Sequence, residues 1–193
     1  MSAFTIGIFV GGSGMRMGGV TKGLLRTPDG SQTLVERLLG VCARVAPLAS
    51  VYLVGRSVAY AQLEIARLED DPAEIGPLGG LRSLLVRATE EQSIALALAC
   101  DLPFLDEAVL TRLLEPLQGA ARVPFVHGRF QPLAAAYAPG PSLAAVDRTL
   151  AAGKRALMHV LDEIGHDLEQ LEFDDDQALA LRDWDTPEDI VNH

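Results

Sequence analysis

Cysteine, basic charge and long apolar runs are all scarce in this sequence. Its 193 residues include only two cysteines, Cys42 and Cys100, whose spacing does not suit a zinc site. No stretch of 18 uncharged apolar residues occurs, and the apolar segment 4–10 has neither a basic leader nor a small-residue cleavage site. We therefore predict reduced, buried cysteines in a cytoplasmic protein, with no membrane span and no signal peptide.

The scarcity of basic charge is uneven along the chain. The whole sequence has 16 Lys and Arg against 26 Asp and Glu, yet residues 1–28 contain Arg16, Lys22 and Arg26 and no acid. An acidic surface repels nucleic acid phosphates, whereas a small anion can bind where positive charge is concentrated. The four histidines, His127, His159, His166 and His193, share no metal-ligand spacing and are expected to have no catalytic role.

Hydropathy patterns predict an α/β fold. Hydrophobic residues make up 49% of the chain, which excludes intrinsic disorder, and the length suits one domain over residues 1–193. Apolar strands are predicted at 4–10, 50–54 and 94–99, and they alternate with helical patterns at 34–45, 59–68 and 81–88. Strands this apolar are covered on both faces, so we predict a three-layer α/β/α sandwich with a mostly parallel sheet, an α+β fold being the alternative.

The second half of the chain is predicted to be richer in helices. Helices are expected at 106–117, 142–152 and 154–164, with strands at 123–126 and 130–138. The acidic run 174–176 is interpreted as a solvated turn. Thr186, Pro187 and Asp189 form a helix-start signal, which predicts a short final helix.

The first predicted strand runs into a glycine-rich segment, GGSGMRMGGVTK, from Gly11 to Lys22. The third glycine of a dinucleotide-binding fingerprint would fall at Met17, and the lysine of a P-loop would fall at Val20, so neither motif fits. The segment still offers free amides and two bases, Arg16 and Lys22, which favours a polyphosphate cradle at the carboxyl edge of the sheet. The alternative is a plain connection with two exposed bases.

Three further segments point to the same edge. Asp101 directly follows an apolar strand and could bind Mg²⁺ together with substrate phosphates, or could simply form a turn or cap a helix. The segment 76–80, GPLGG, could bring bare backbone against a planar base, or could be a connection. Gln131 and Pro132 interrupt a strand-like stretch, which predicts an edge or a bulge near a site.

Together these segments resemble the molybdenum cofactor guanylyltransferases, which belong to the nucleotidyltransferases that open with GxGxRMG. The matching segments, in chain order, are 12–18 with Lys22, GPLGG at 76–80, CDLPF at 100–104, QPLAAAY at 131–137 and DTPED at 185–189. The resemblance covers the chain from end to end. It implies a Rossmann-like nucleotidyltransferase fold and transfer of GMP from GTP to molybdopterin, with pyrophosphate released.

The resemblance also implies roles for individual residues. Lys22, Arg16 and Asp101 would be catalytic, with Asp101 binding Mg²⁺. The nucleotide would be held by Gly11, Gly12, Gly14, Gly18, Lys22, Asp71, Leu78 and Gly79, with Asp71 on the guanine and adjacent Asp70 as its competitor. Gln131, Pro132 and the turn 183–186 would face the pterin, and proteins that make molybdopterin or insert molybdenum would be partners.

Two departures from the family pattern leave alternatives open. Three residues rather than two separate Gly18 from Lys22, so the loop has one extra residue or is in register with Gly19. Asp183 and Asp185 stand where the family commonly has asparagine, and either could add a second metal ligand. The alternatives are a cytidylyl or sugar-phosphate nucleotidyltransferase and a noncatalytic nucleotide-binding module.

Overall fold

The computed structural model describes residues 3–11, 21–184 and 189, without the side chain of Asp176. Its strands are β1 (Phe4–Phe9), β2 (Ser50–Val54), β3 (Arg67–Leu68), β4 (Ile94–Ala99), β5 (Ala121–Val126), β6 (Arg129–Phe130), β7 (Ala134–Tyr137) and β8 (Leu168–Glu172). Its α-helices are α1 (Leu34–Val45), α2 (Pro77–Glu90), α3 (Glu107–Leu113), α4 (Pro139–Ala151), α5 (Leu157–Ile164) and α6 (Asp175–Ala180). Within these ranges no helix has the length and apolar character needed to cross a membrane.

The strands form one mostly parallel sheet in the order β3-β2-β1-β4-β7-β5-β6, with β8 beside β5. Strands β3, β2, β1 and β4 are parallel to one another, and β8 is parallel to β5. Strand β7 runs antiparallel to both β4 and β5, and β6 forms a hairpin with β5. The carboxyl ends of β1, β2 and β4 therefore lie side by side at one edge of the sheet.

Helices cover both faces of the sheet. One hydrophobic cluster contains residues of α1, α3 and α6, and a second contains residues of α2, α4 and α5. Strand β4 divides its side chains between them, since Leu96 and Leu98 belong to the first cluster and Ala95 and Ala97 to the second. The predicted α/β/α sandwich with a mostly parallel sheet is confirmed.

Local signals explain where several helices begin. At α1, the Thr33 hydroxyl accepts a hydrogen bond from the Glu36 amide at 3.3 Å, and the Glu36 carboxylate accepts one from the Thr33 amide at 2.8 Å. This reciprocal pair satisfies two amides that the helix itself cannot pair. At α3, the Asp106 carboxylate accepts from the Val109 amide at 2.8 Å, and α2 and α4 each begin at a proline.

The helix predicted at 59–68 is wrong. The segment contains a 3-10 turn, Val58–Tyr60, followed by irregular chain and β3. The Leu53 amide donates to the Ala66 carbonyl at 2.9 Å, and the Gly55 amide donates to the Leu68 carbonyl at 2.9 Å. Pairing with the edge of β2 therefore overrides the local helical pattern, which is a nonlocal effect.

Other boundaries differ in smaller ways. The strand predicted at 130–138 is interrupted at Gln131–Leu133, because the Ala134 amide turns back to the Gln131 carbonyl at 3.0 Å. The helix predicted at 154–164 starts at Leu157, β8 was not predicted, and the short final helix predicted after Thr186 lies largely outside the described residues. Asp174 is no simple turn residue, because its carboxylate accepts from the Gln177 amide at 2.8 Å and caps α6. Both cysteines are free and buried, as predicted.

Candidate nucleotide site

The site begins where β1, β2 and β4 end. The Val10 amide donates to the Val54 carbonyl at 3.0 Å, and the Cys100 amide donates to the Phe9 carbonyl at 3.2 Å, so the chains leave the sheet together. Gly11 is exposed at this edge, opposite Gly55. Gly55 has φ +101°, and a Cβ added to it would lie 3.2 Å from the Gly11 nitrogen. The first glycine of the predicted cradle thus faces a second bare stretch of backbone, whereas Gly12, Gly14, Arg16 and Gly18 lie outside the described residues.

Lys22 and Asp101 meet directly at this edge. The Lys22 ammonium donates to Oδ2 of Asp101 at 2.8 Å, and the two side chains are only 19% and 15% exposed. The two residues are 79 positions apart in sequence, so the fold itself brings them together. A mostly buried ion pair requires good geometry, because removing both charges from water is costly. The structure therefore places the predicted cation and the predicted metal ligand next to each other.

A buried tyrosine lies beneath this ion pair. Lys22 starts a 3-10 turn, Lys22–Leu24, and a Cβ added to Gly23 would lie 2.5 Å from the Tyr60 hydroxyl and 3.2 Å from Cβ of Cys100. The Tyr60 side chain is fully buried, and burial, followed by the neighbouring Cys100, raises its pKa. The chain neighbours of Lys22 and Asp101 are thus packed against one another through Tyr60.

The segment after Asp101 is held from two sides. The Trp184 amide donates to the Asp101 carbonyl at 3.0 Å, and the buried Trp184 ring meets Phe104 edge-on with centroids 6.3 Å apart. From α1, the Arg37 guanidinium donates to the Leu105 carbonyl at 2.6 Å. Trp184 therefore packs against the segment that follows Asp101, whereas Asp185 and Thr186, which complete the turn predicted to face the pterin, lie outside the described residues.

The two candidate base-binding aspartates point in different directions. Asp70 is half-buried, and its Oδ1 is 3.8 Å from the position that a Cβ on Gly55 would occupy. Burial raises the Asp70 pKa, although nearby Arg56 opposes this effect. Asp71 instead exposes 68% of its side chain and pairs with Arg82 at 2.5 Å. The structure thus brings Asp70, rather than Asp71, to the glycine-lined edge.

The predicted base-pocket residues after these aspartates occupy the start of α2. A Cβ on Gly79 would lie 2.5 Å from the Pro72 carbonyl oxygen, so the preceding loop passes directly over this glycine. The Leu78 side chain is fully buried in the core. Leu78 can therefore support a base pocket only by packing α2 against the core, and it cannot line the pocket itself.

The opposite side of the site contains the predicted pterin-facing residues. The Ala99 amide donates to the Leu133 carbonyl at 2.6 Å, which places the Gln131–Leu133 turn beside the end of β4. The Pro132 carbonyl accepts from the Tyr137 hydroxyl at 2.7 Å. Some exposed basic side chains have no ion-pair partner in the part of the chain that the structure describes: Arg129 in β6, and Lys154 and Arg155 between α4 and α5.

The family described as "MobA-like NTP transferase domain" matches residues 6–168. The chain belongs to this family. It is 31% identical to a molybdenum cofactor guanylyltransferase of Pseudomonas aeruginosa over 199 aligned positions, which cover 96% of this chain and 92% of the relative. The nucleotidyltransferase family predicted from the sequence is therefore confirmed.

Solved structures agree with this family at the level of the fold. Molybdopterin-guanine dinucleotide biosynthesis protein A from Archaeoglobus fulgidus superposes with a TM-score of 0.76 at 21% identity, covering 97% of this chain and 95% of the other. A 4-diphosphocytidyl-2C-methyl-D-erythritol synthase from Anaerococcus prevotii also has a TM-score of 0.76, at 15% identity, with 99% and 94% covered. Because proteins named for different nucleotides share the fold, the choice of base must depend on individual residues.

Proposed function

We propose that this protein transfers GMP from GTP to molybdopterin and releases pyrophosphate. The observation that carries the proposal is the Lys22–Asp101 ion pair at the carboxyl edge of the sheet, next to the glycine-rich segment. Open α/β sheets bind ligands at this edge. We choose GTP as the nucleotide and molybdopterin as the acceptor because of the relatives named molybdenum cofactor guanylyltransferase.

The triphosphate is assigned to the glycine-rich side. Amides of Gly11, Gly12, Gly14 and Gly18 would bind phosphate oxygens, because glycine lets a phosphate approach the backbone closely. Lys22 and Arg16 would neutralise the charge that develops on the leaving pyrophosphate.

Asp101 is the residue that would hold Mg²⁺. No group of three potential ligands from Asp, Glu, His and Cys occurs among the residues that the structure describes. This suits Mg²⁺, which is usually bound by one or two carboxylates together with substrate phosphates and water. The bound ion would supply positive charge to the phosphates of the nucleotide.

The reaction needs no general base from the protein. The terminal phosphate of molybdopterin is largely ionised at neutral pH, so one of its oxygens can attack the α-phosphorus directly. A new bond forms from that oxygen to the α-phosphorus of GTP as the bond from this phosphorus to the α,β-bridging oxygen breaks, and the electron pair leaves with pyrophosphate. The protein's own residues then contribute in-line positioning and charge neutralisation.

We assign the guanine to Asp70 rather than Asp71. A carboxylate can accept hydrogen bonds from the ring N–H and the exocyclic amine of guanine together, which cytosine cannot donate. Asp70 faces the glycine-lined edge, whereas the Asp71 carboxylate is occupied by Arg82. Gly79 would let the loop that carries Asp70 pass close to α2, and buried Leu78 would support that helix from the core.

The acceptor is assigned to the opposite side of Asp101. Gln131 and Pro132 would meet the pterin, and Arg129, Lys154 and Arg155 would attract its phosphate group in an otherwise acidic protein. We further propose a cytoplasmic location, and physical handover with proteins that make molybdopterin or insert molybdenum.

The function is tested by measuring pyrophosphate release from purified protein with molybdopterin and Mg²⁺, comparing GTP with CTP. Release is expected with GTP and should disappear when Mg²⁺ or molybdopterin is omitted. Release with CTP alone would assign the protein to cytidylyl transfer, to which the Asp183 and Asp185 departures also point. Binding of nucleotide without any release, in the presence of molybdopterin or a sugar phosphate, would instead identify a noncatalytic module.

A further inference from the structure

The loop that precedes α2 is tied to two helices by one arginine. From α2, Arg82 donates through Nη1 to Asp71 in the loop at 2.5 Å and through Nε to Asp147 on α4 at 2.8 Å. The Arg82 side chain is 27% exposed, and those of Asp71 and Asp147 are 68% and 50% exposed. We call these three residues the Arg82 clamp.

Other contacts hold the same loop at a fixed height above α2. The Ser83 hydroxyl donates to the Glu69 carbonyl at 2.6 Å, and the Asp71 amide donates to the Gly79 carbonyl at 3.2 Å. The loop passes so close that Gly79 has no space for a side chain. The Arg82 clamp is therefore the ionic part of a set of contacts that all fix residues 69–72 to the start of α2.

These contacts hold the backbone on both sides of Asp70. Its neighbour Glu69 is held through the carbonyl, and its neighbour Asp71 is held through both the amide and the carboxylate. Asp70 Oδ1 consequently lies 3.1 Å from the position of a Cβ on Gly80 and 3.8 Å from that of a Cβ on Gly55. A carboxylate keeps one orientation when the backbone that carries it is held in place.

We infer that Arg82 is a positioning residue for recognition of the nucleotide base. By pulling Asp71 outward to α2 and α4, the Arg82 clamp turns Asp70 toward the cleft and keeps it there. Asp71 thus acts as an anchor of the loop and does not itself contact the base. The inference rests on the proposed function, because it takes Asp70 as the group that meets the guanine.

The test compares nucleotide affinities of the wild-type protein and Arg82→Met, measured by equilibrium titration without molybdopterin. We expect the Kd for GTP to rise about fivefold, in keeping with loss of two partly exposed ion pairs. ITP lacks the exocyclic amine of GTP, so the preference for GTP over ITP should fall by a similar factor. A purely structural role would lower the melting temperature without changing this ratio.

Three further variants test whether the effect comes from the contact between Arg82 and Asp71. Asp71→Asn should weaken GTP binding by no more than Arg82→Met does, because it breaks one of the two Arg82 ion pairs, and the double variant should be no worse than Arg82→Met alone. Arg148→Met is the matched control, since Arg148 pairs with Glu163 at 3.0 Å between α4 and α5, away from the loop. Its GTP affinity and GTP-to-ITP ratio should equal those of the wild type, and kcat of Arg82→Met should stay within about twofold of the wild-type value.

The inference is overturned if Arg82→Met keeps the wild-type GTP affinity and ratio. It is equally overturned if Asp71→Asn loses far more affinity than Arg82→Met, because Asp71 would then contact the base itself. If the wild-type protein prefers CTP, the proposed guanylyl transfer is wrong but the role of the Arg82 clamp is still open to test. The same variants are then compared on CTP and UTP to test that role. A wild-type protein that binds neither GTP nor CTP overturns both.

Discussion

Replacing Gly23 by alanine should damage the site through packing alone. The added Cβ would lie 2.5 Å from the Tyr60 hydroxyl oxygen and 3.2 Å from both Cε1 of Tyr60 and Cβ of Cys100. Tyr60 is fully buried, so its ring cannot swing into solvent to make room. One of the two chain segments must therefore move, and any movement of the turn Lys22–Leu24 displaces Lys22 itself.

The size of the effect follows from this overlap. Forcing one extra carbon into a packed region costs about 1–3 kcal/mol. For a chain of this length, about 2–4 °C of melting temperature accompanies each kcal/mol, so Gly23→Ala should melt about 2–12 °C lower. Turnover should fall more steeply, because a displacement of about 1 Å at a positioning group can reduce a rate by about 100-fold.

The assay pairs thermal melting with pyrophosphate release, and two variants provide controls. Gly140→Ala places the same methyl group in α4, where a Cβ meets nothing within 4 Å, and should melt and turn over as the wild type does. The double variant Gly23→Ala with Tyr60→Phe removes the closest atom and should recover most of the lost stability. A Gly23→Ala protein that matches the wild type in both assays, or a double variant no better than the single one, would refute this account of how Lys22 is placed.

Three further predictions concern the charged groups. Asp101→Asn should keep the far-ultraviolet circular dichroism spectrum and lose Mg²⁺-dependent pyrophosphate release; full activity would remove Asp101 from the metal role. Asp70→Asn should weaken GTP binding yet raise the melting temperature at neutral pH, because the raised Asp70 pKa means that ionisation disfavours the folded state. That gain should be absent well below the unfolded-state pKa of about 4 and grow as pH rises through the folded-state pKa, so a gain independent of pH would contradict it. Lys154→Ala with Arg155→Ala should raise KM for molybdopterin and leave KM for GTP unchanged, and an equal rise for both substrates would argue against an acceptor site there.

The sequence predicted those strands and helices whose conformation depends on neighbouring residues in the chain. Strands β1, β2 and β4 are apolar and are followed within two residues by glycine or aspartate, and α1 has a capping pair and a helical repeat, so their positions could be predicted from the sequence. Strand β8 was not, because its sequence LEQLE is largely polar and its side chains are exposed or half-buried. The segment 59–68 failed for a related reason, since its conformation depends on pairing with β2 rather than on its own pattern.

The candidate site likewise contains some residues that the sequence predicts and others that only the structure reveals. Lys22 and Asp101 could be proposed together because parallel strands present their carboxyl ends at one edge. Tyr60 and Trp184 could not, because their importance comes from contacts with residues far away in sequence and neither belongs to a recognisable motif. The choice between Asp70 and Asp71 likewise required Arg82, whose pairing with Asp71 is visible only once α2 has been placed.

The ion pairs of this protein differ in how exposed they are, and this difference affects how a nucleotide would bind. Pairs such as Arg44–Glu107 and Arg56–Glu69 are well exposed, and exposed pairs contribute little to stability. The Lys22–Asp101 pair is mostly buried at the ligand edge, where either charge alone would be strongly destabilising. Each charge therefore stabilises the other until phosphates and Mg²⁺ offer new partners, and binding must exchange one set of contacts for another. For this reason Lys22→Ala should reduce triphosphate affinity by less than a lysine–phosphate contact alone would suggest, because the variant no longer has to break the ion pair.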